Sequence, residues 1–518
     1  MRLRSTIAFV ALSATLPTFA FAQQREPFAG LDAYIANAVK TWKIPGIGVA
    51  IVRNDSVLFT KGYGTLAVNS TTPVNENTLF EIGSSSKAFT ATLVAMLVGD
   101  GKLRFDDRIT DYLPDFRMYD PLASAEVTLR DALTHRSGIA RGELVWLGSG
   151  LSRAEVLRHV RFLKPESPFR SKWSYQNMMF LAAGEAAAKA AGTTWEDLVQ
   201  KRIFTPLGMT SSMPTGVGLS NPNAAKPHGM DHDTAFVKPP FDAVNIAPAG
   251  SILSTAHDMA QWLRLQLGDG KFEGKQIVAS APLRETHTPQ MLMGAGGGRG
   301  RGNEAVPQTV FSTYGMGWMV EDHRRNLVWQ HGGNTPGMTA AVGMMPERKF
   351  GVVVLSNMQS AQLPELIMRY IFDREISAPP KDLSGEAYTR MLAQRKAADS
   401  MQVVQAGQRS KADPPLPLSA FAGTYVDSLY GEATVTLVNG KLELKRGDWH
   451  GPLEFWNATN FRWDNGPGSV TGPMNIKFDI APDGRVTTLN FGIAGDVYPM
   501  SRKNPPGGGR GGRGGGGF

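Results

Sequence analysis

Hydrophobic positions in the first two thirds of the chain switch between two periods. Residues 46–52 and 57–62 are short runs rich in Val, Ile and Gly, separated by Asn54-Asp55, and read as two strands joined by a turn. From 84 to 98, Phe89, Leu93, Met96 and Leu97 fall at helical spacing, with Gly99 and Gly101 offering a stop. A second helix is expected from Asn177 through the Ala-rich stretch to Ala191. Residues 327–330, 339–345 and 350–357 read as strands, the last rich in valine as a buried strand should be. Strands at both ends of a helical middle predict an antiparallel sheet completed by both ends of the region. The expected fold class over 28–375 is therefore α+β.

A different pattern follows. Residues 376–417 form a polar, helical connector that ends in Pro414-Pro415-Leu416-Pro417 and resembles a linker. Strict alternation then begins with Ala433, Val435 and Leu437, passes Asn439-Gly440, and resumes with Leu442 and Leu444. Asn-Gly between alternating runs is a hairpin signal because both turn positions need positive φ. Asp483-Gly484 repeats the device between 476–480 and 486–491. Residues 418–502 are expected to be a small all-β domain, a half-barrel or closed barrel.

Composition narrows the chemistry. The 518 residues include 42% hydrophobic positions, enough for a core, so a wholly disordered chain is excluded. There is no cysteine, which removes disulfides, thiolate metal sites and a cysteine nucleophile. The net charge of +8 invites a nucleic-acid or membrane reading until it is located. Arg2 and Arg4, Arg299 and Arg301 in a Gly-rich insert at 294–303, and Arg502, Lys503, Arg510 and Arg513 near the end account for the whole excess. Residues 1–22 read as a secretory signal, with a basic start, a short apolar run and Ala20-Phe21-Ala22 before Gln23. The expectation is a periplasmic or secreted protein with no integral membrane span after cleavage near Ala22. The tail over 503–518 has an Arg-Gly-Gly character like that of RNA-binding tails, but beside an export signal it reads as a solvated tail, and no nucleic-acid partner is expected.

The informative stretch is Ser84-Ser85-Ser86-Lys87. A helix beginning at Ser84 would put Ser84 and Lys87 one turn apart on one face, where an amine of lowered pKa can take the serine proton. Alone, Ser-x-x-Lys is as well explained by an N-cap serine and a surface lysine. Trp173-Ser174-Tyr175-Gln176-Asn177 adds a phenol that can relay a proton, and Gln330-His331-Gly332-Gly333-Asn334 adds glycines that let substrate approach a strand edge. In that order the three segments resemble the serine β-lactamase-like family, in the branch of class C β-lactamases, D-alanyl-D-alanine carboxypeptidases, D-aminopeptidases and esterases. Supporting context includes Leu133-Thr134-His135-Arg136-Ser137-Gly138 and Tyr314-Gly315-Met316-Gly317-Trp318. The resemblance implies a β-lactamase/transpeptidase-like fold: an antiparallel sheet flanked by helices, with an all-helical region. The 418–502 stretch is similar to the lipocalin-like accessory domain fused behind such hydrolases.

Carried onto this chain, the resemblance makes Ser84 the acylated nucleophile, Lys87 its base and Tyr175 the acid/base that serves the leaving group and water. Asn177 would bind the substrate amide, the backbone N–H groups of Ser84 and Asn334 would hold the oxyanion, and His331, Gly332 and Gly333 would line the strand side. No metal or cofactor is implied. The departure is His331, where β-lactamases of this family usually carry Lys; a histidine of pKa near ~6.5 is mostly neutral at pH 7. Carboxylate recognition is weakened, so D-amino-acid peptides or amides and carboxylic esters rank above β-lactams, with a β-lactamase or a slowly turning-over penicillin-binding sensor as the alternative. His228, Asp231 and His232 have metal-like spacing but read as loop residues, His135 as a structural histidine, and Glu81 as a fold residue. Trp146, Trp318 and Phe311 fit either a cleft wall or ordinary packing.

Overall fold

The computed structural model describes residues 28–216, 220–293, 309, 311–407, 412–463, 474–493 and 496–503. The signal segment, the insert at 294–303 and all but the first residue of the 503–518 tail lie outside them. Eight strands make one antiparallel sheet: β1 (Gly46–Arg53), β2 (Ser56–Gly64), β3 (Met291–Leu292), β4 (Ser312–Tyr314), β5 (Met319–His323), β6 (Asn326–Thr335), β7 (Met338–Met345) and β8 (Phe350–Ser356). Their spatial order is β2-β1-β8-β7-β6-β5-β4-β3, so β1 and β8, from opposite ends of the region, are neighbours. The valine run of β8 is buried throughout, as its composition requires.

Alternation along β1 distributes side chains to both faces. Ile47, Val49 and Ile51 pack with helices α1 (Leu31–Thr41) and α5 (Leu363–Glu375), while Ala50 and Val52 join the opposite core. That opposite core is built on α2 (Ser86–Gly99), α3 (Asn177–Ala191) and α4 (Ala256–Leu267). α2 is buried on every face from Ser86 to Leu97, and Phe89 stacks on Trp262 of α4 with centroids 3.8 Å apart. A helix that is apolar all round belongs in the middle of a domain, and α2 is there, held from all sides.

The 376–417 stretch contains a helix, α6 (Leu383–Gly407), whose first turns lie on the α+β region: Leu383 and Ala387 are buried beside α1 and α5, and Trp42 Nε1 donates to Ser384 Oγ at 2.8 Å. Beyond it a closed barrel runs through β9 (Gly423–Asp427), β10 (Gly431–Val438), β11 (Lys441–Arg446), β12 (Trp449–Asn457), β13 (Asn460–Trp463), β14 (Met474–Ile480), β15 (Val486–Ile493) and β16 (Asp496–Arg502). Asn439 and Gly440 both have positive φ and close a two-residue hairpin, as expected. The Asp483-Gly484 hairpin is different. Only Gly484 is left-handed, Ala481 N donates to Arg485 O, and the turn is a three-residue loop beside a shifted register.

Candidate active site

The three sequence motifs meet at one place. Ser84 does not begin a regular helix: it sits in a 3-10 turn, Gly83–Ser85, just before α2. Each serine of the run is tied to a different neighbour. Ser85 Oγ donates to the His331 carbonyl at 3.0 Å, Ser86 Oγ accepts from Ile252 N at 3.1 Å, and Ser84 Oγ lies 3.1 Å from Lys87 Nζ. Tyr175 stands two residues before α3, held by Gln176, whose side chain caps Met178 N and donates to the Ala140 carbonyl at 2.6 Å. Asn177, the first residue of α3, accepts from Lys87 Nζ at 2.7 Å.

Lys87 has no exposed surface. Besides Ser84 and Asn177 it reaches the Ala249 carbonyl at 2.7 Å, and its ammonium position lies 4.7 Å from the Tyr175 ring centre. Burial drives its pKa well below the usual lysine value, Glu143 pulls it back up, and Arg141 pushes it further down. A neutral amine has two N–H donors and one lone pair. The Asn177 Oδ1 and Ala249 carbonyl oxygens can only accept and take both donors, so the lone pair is left facing the Ser84 hydroxyl. This is the geometry of a base poised to take the serine proton.

The strand side is shaped by two backbone approaches. A Cβ on Gly333 would stand 1.8 Å from Ile82 O and 3.2 Å from Ser84 N, and one on Gly83 would stand 2.8 Å from Asn334 N. Gly332 and Gly333 were expected to admit substrate to the strand edge. Gly333 also admits the 83–85 turn against β6, so that the Ser84 and Asn334 backbones lie close together. Gly332 is half-buried and Asn334 exposed.

His331 is 2% exposed, with both ring nitrogens engaged. Nδ1 lies 2.7 Å from the Gly332 carbonyl, which can only accept, so this nitrogen carries the proton; in the neutral ring Nε2 then accepts from the Tyr314 hydroxyl at 3.0 Å. Burial holds Tyr314 protonated by pushing its pKa far up, with the Tyr175 phenol adding to the effect. His135 is fully buried, accepts from Gln176 N at 3.0 Å and packs 4.4 Å from the Tyr175 ring centre. Burial first, and the nearby Lys87 and His331 next, keep it neutral.

Two residues on no recognised motif complete the site. Glu143 accepts from Asn177 Nδ2 at 3.5 Å, which turns Oδ1 of that amide toward Lys87, and it pairs with Arg141. The Arg141 guanidinium lies 5.2 Å from the Tyr175 ring centre. Arg141-Gly142-Glu143, a charge pair about a glycine, was the available signal. The other candidates scatter. His228 is buried between Val68 N and the Asn357 carbonyl, while His232 sits in an exposed pair with Asp231. Trp318 is core, Phe311 is 41% exposed, and Trp146 is buried 6.4 Å from Phe241.

Comparison with known proteins agrees with this architecture. The family model described as Beta-lactamase matches residues 31–372, and the chain belongs to that family. A second model, described as a domain of unknown function (DUF3471), matches 408–499. Unguisins hydrolase of Aspergillus violaceofuscus is 29% identical over 442 residues, covering 80% of this chain and 77% of the relative. Penicillin-binding protein 4 of Amycolatopsis lactamdurans is 30% identical over 246 residues, 46% of this chain and 64% of that protein. Among solved structures, the octameric penicillin-binding protein homologue from Pyrococcus abyssi superposes with a TM-score of 0.59 at 21% identity, covering 91% of this chain and 99% of that one. The class C β-lactamase of Rhodobacter sphaeroides gives 0.54 at 22% identity over 67% of this chain and 99% of its own. These two likenesses establish the fold: a β-lactamase-like sheet and helices followed by a barrel. Among the described residues no helix is long and apolar enough to cross a membrane.

Proposed function

We propose that this protein is an exported serine hydrolase that works through an acyl-enzyme on Ser84, acting on D-amino-acid peptides or amides or on carboxylic esters. The observation that carries the reading is the fully buried Lys87 with its lone pair toward Ser84. The Ser84 hydroxyl proton passes to Lys87 Nζ while Oγ bonds to the substrate carbonyl carbon. The resulting oxyanion is held by the Ser84 and Asn334 amides. As the tetrahedral intermediate collapses, the bond to the leaving nitrogen or oxygen breaks, Tyr175 delivers a proton to it, and the phenolate regains a proton from the Lys87 ammonium. Water then attacks the acyl-enzyme, gives up its proton through the same groups, and releases the acid with Ser84 restored. No metal or cofactor takes part in these steps.

His331 supports the choice of substrate. With Nδ1 spent on the Gly332 carbonyl and Nε2 on Tyr314, the buried ring presents neither nitrogen to a substrate carboxylate. β-Lactams and peptides with free C-terminal carboxylates are therefore ranked below esters and amides. The test is labelling with a fluorophosphonate, which should be lost in Ser84→Ala; full labelling of that variant would sink the reading. Turnover of a short-chain aryl ester and a D-amino-acid amide should exceed that of a chromogenic cephalosporin and a D-Ala-D-Ala peptide by about tenfold or more, one decade being the ~1.4 kcal/mol of a single weak charge contact.

A further inference from the structure

The barrel interior is occupied by its own rings: Phe421, Phe461 and Phe478 meet pairwise at 5.1 to 5.4 Å. Its outward-looking chemistry is at the β11–β12 turn. The alternation of β11 buries Leu442, Leu444 and then Arg446, so a guanidinium occupies a position that the pattern reserves for apolar residues. Arg446 is 2% exposed and donates to the carbonyls of Leu144, of Leu147 at 3.4 Å and of Tyr430 at 3.1 Å. Its hydrogen-bond acceptors among the described residues are all carbonyls, and burial lowers its pKa to about 10. Next to it Trp449 covers Gly148 so closely that a Cβ there would stand 2.2 Å from the indole, and Asp448 N donates to the Gly148 carbonyl at 3.2 Å. The turn thus grips the backbone of the 141–150 loop, whatever its side chains.

That loop needs holding. Gly142, Gly148 and Gly150 all have positive φ, which gives the segment many alternatives to its observed course. It also carries the two site residues the motifs did not contain. Resting on the reading of Ser84 and Lys87 given above, we propose that the C-terminal barrel is a positioning element of the active site: Arg446 and Trp449 hold the 141–150 loop so that Glu143 stays against Asn177 and Arg141 over Tyr175. The titratable groups around Lys87 are Glu143 and Arg141 from this loop, Tyr175 ahead of α3, and His135. Of the two charges the loop brings, Glu143 favours the ammonium and outweighs Arg141, so a released loop that leaves Lys87 buried makes it easier to deprotonate.

The experiment uses full-length Arg446→Met and Gly148→Ala, with Glu143→Gln for comparison. Two readouts are taken: amide hydrogen exchange over 141–150, and the pH profile of kcat/KM on a p-nitrophenyl ester. Exchange in the loop should rise about tenfold in both barrel-contact variants while α2 stays protected. Their kcat should fall about five- to tenfold with KM less changed, and the acid limb should move to lower pH, as in Glu143→Gln. Adding Arg446→Met to Glu143→Gln should cost no further activity. Wild-type exchange together with a wild-type profile in the barrel-contact variants overturns the proposal, as does a loss that multiplies with Glu143→Gln. If Arg446→Met does not fold, Gly148→Ala carries the same comparison. A wild type without turnover or labelling, whose loop exchange still depends on Arg446, supports the barrel's hold and overturns the Ser84 reading instead.

Discussion

At the scale of single residues, two buried titratable groups lie close in the chain and have opposite consequences. Lys87 finds three oxygen neighbours, so its burial is satisfied and useful. Glu81, six positions earlier and 5% exposed, has neither carboxylate oxygen in a well-formed hydrogen bond among the described residues, and burial raises its pKa to about 7 against weaker opposing pulls from the Thr335 hydroxyl and the Phe241 backbone. A carboxyl raised from 4.5 to about 7 binds its proton more tightly folded than unfolded, so stability is lost as pH climbs through that window. Glu81→Gln should remove the penalty. The variant should be more stable than wild type above pH 7, by up to about 3 kcal/mol, with the advantage fading below pH ~4.5. Thermal unfolding at pH 4.5 and pH 8 checks this, and a gain independent of pH would contradict it. The serine and lysine were legible in company: their spacing of three set them one turn apart, and the segments at Tyr175 and His331 gave that spacing a meaning. Glu143 was not, because its partner Asn177 is 34 positions away and only the folded chain joins them.

Among elements, the decisive contact is between the 83–85 turn and β6. Gly333 stands where any side chain would meet the Ile82 carbonyl, so Gly333→Ala should separate the Ser84 and Asn334 amides proposed to hold the oxyanion. A displacement of that kind, about an ångström, should slow fluorophosphonate labelling roughly a hundredfold while circular dichroism stays native. Labelling at the wild-type rate would mean that β6 does not share in the oxyanion site. Strands with strong local character were readable in advance: β8 by its valines and the β10–β11 hairpin by Asn-Gly. β3 and β4 were not, since two- and three-residue strands carry no period of their own and exist only because β5 gives β4 an edge and β4 gives one to β3. The 3-10 turn at Ser84 was read as helix for a similar reason. Ser85 has helical φ and ψ, and what distinguishes the turn is the left-handed Gly83 before Ser84 and the contact with β6.

For the whole molecule, one hydrophobic cluster runs from α2 through Leu144, Val145 and Leu147 to Trp449 and the barrel rings. A core continuous across both parts predicts that they unfold together. Calorimetry should record one transition spanning hydrolase and barrel, and two well-separated transitions would show that the joint is too weak to couple them. The division at the connector was legible from composition. The joint was not, because its chief residue, Arg446, is charged and reads as surface until the alternation of β11 is seen to turn it inward.

The placing of β1 beside β8 governs the order in which the chain acquires its shape. Gly46 N reaches Asn357 Oδ1 across 311 residues, and Ser85 reaches the His331 carbonyl across 246. Closing loops of that length costs entropy before any contact rewards it, so distant pairings form late. The β1–β2 and β5–β8 strands pair between sequence neighbours, so by the same argument the seam between β1 and β8 is expected to close after them. A chain that has not yet brought residue 85 to 331 has no strand across from Ser84 and Lys87, and reactivity is expected to arrive late.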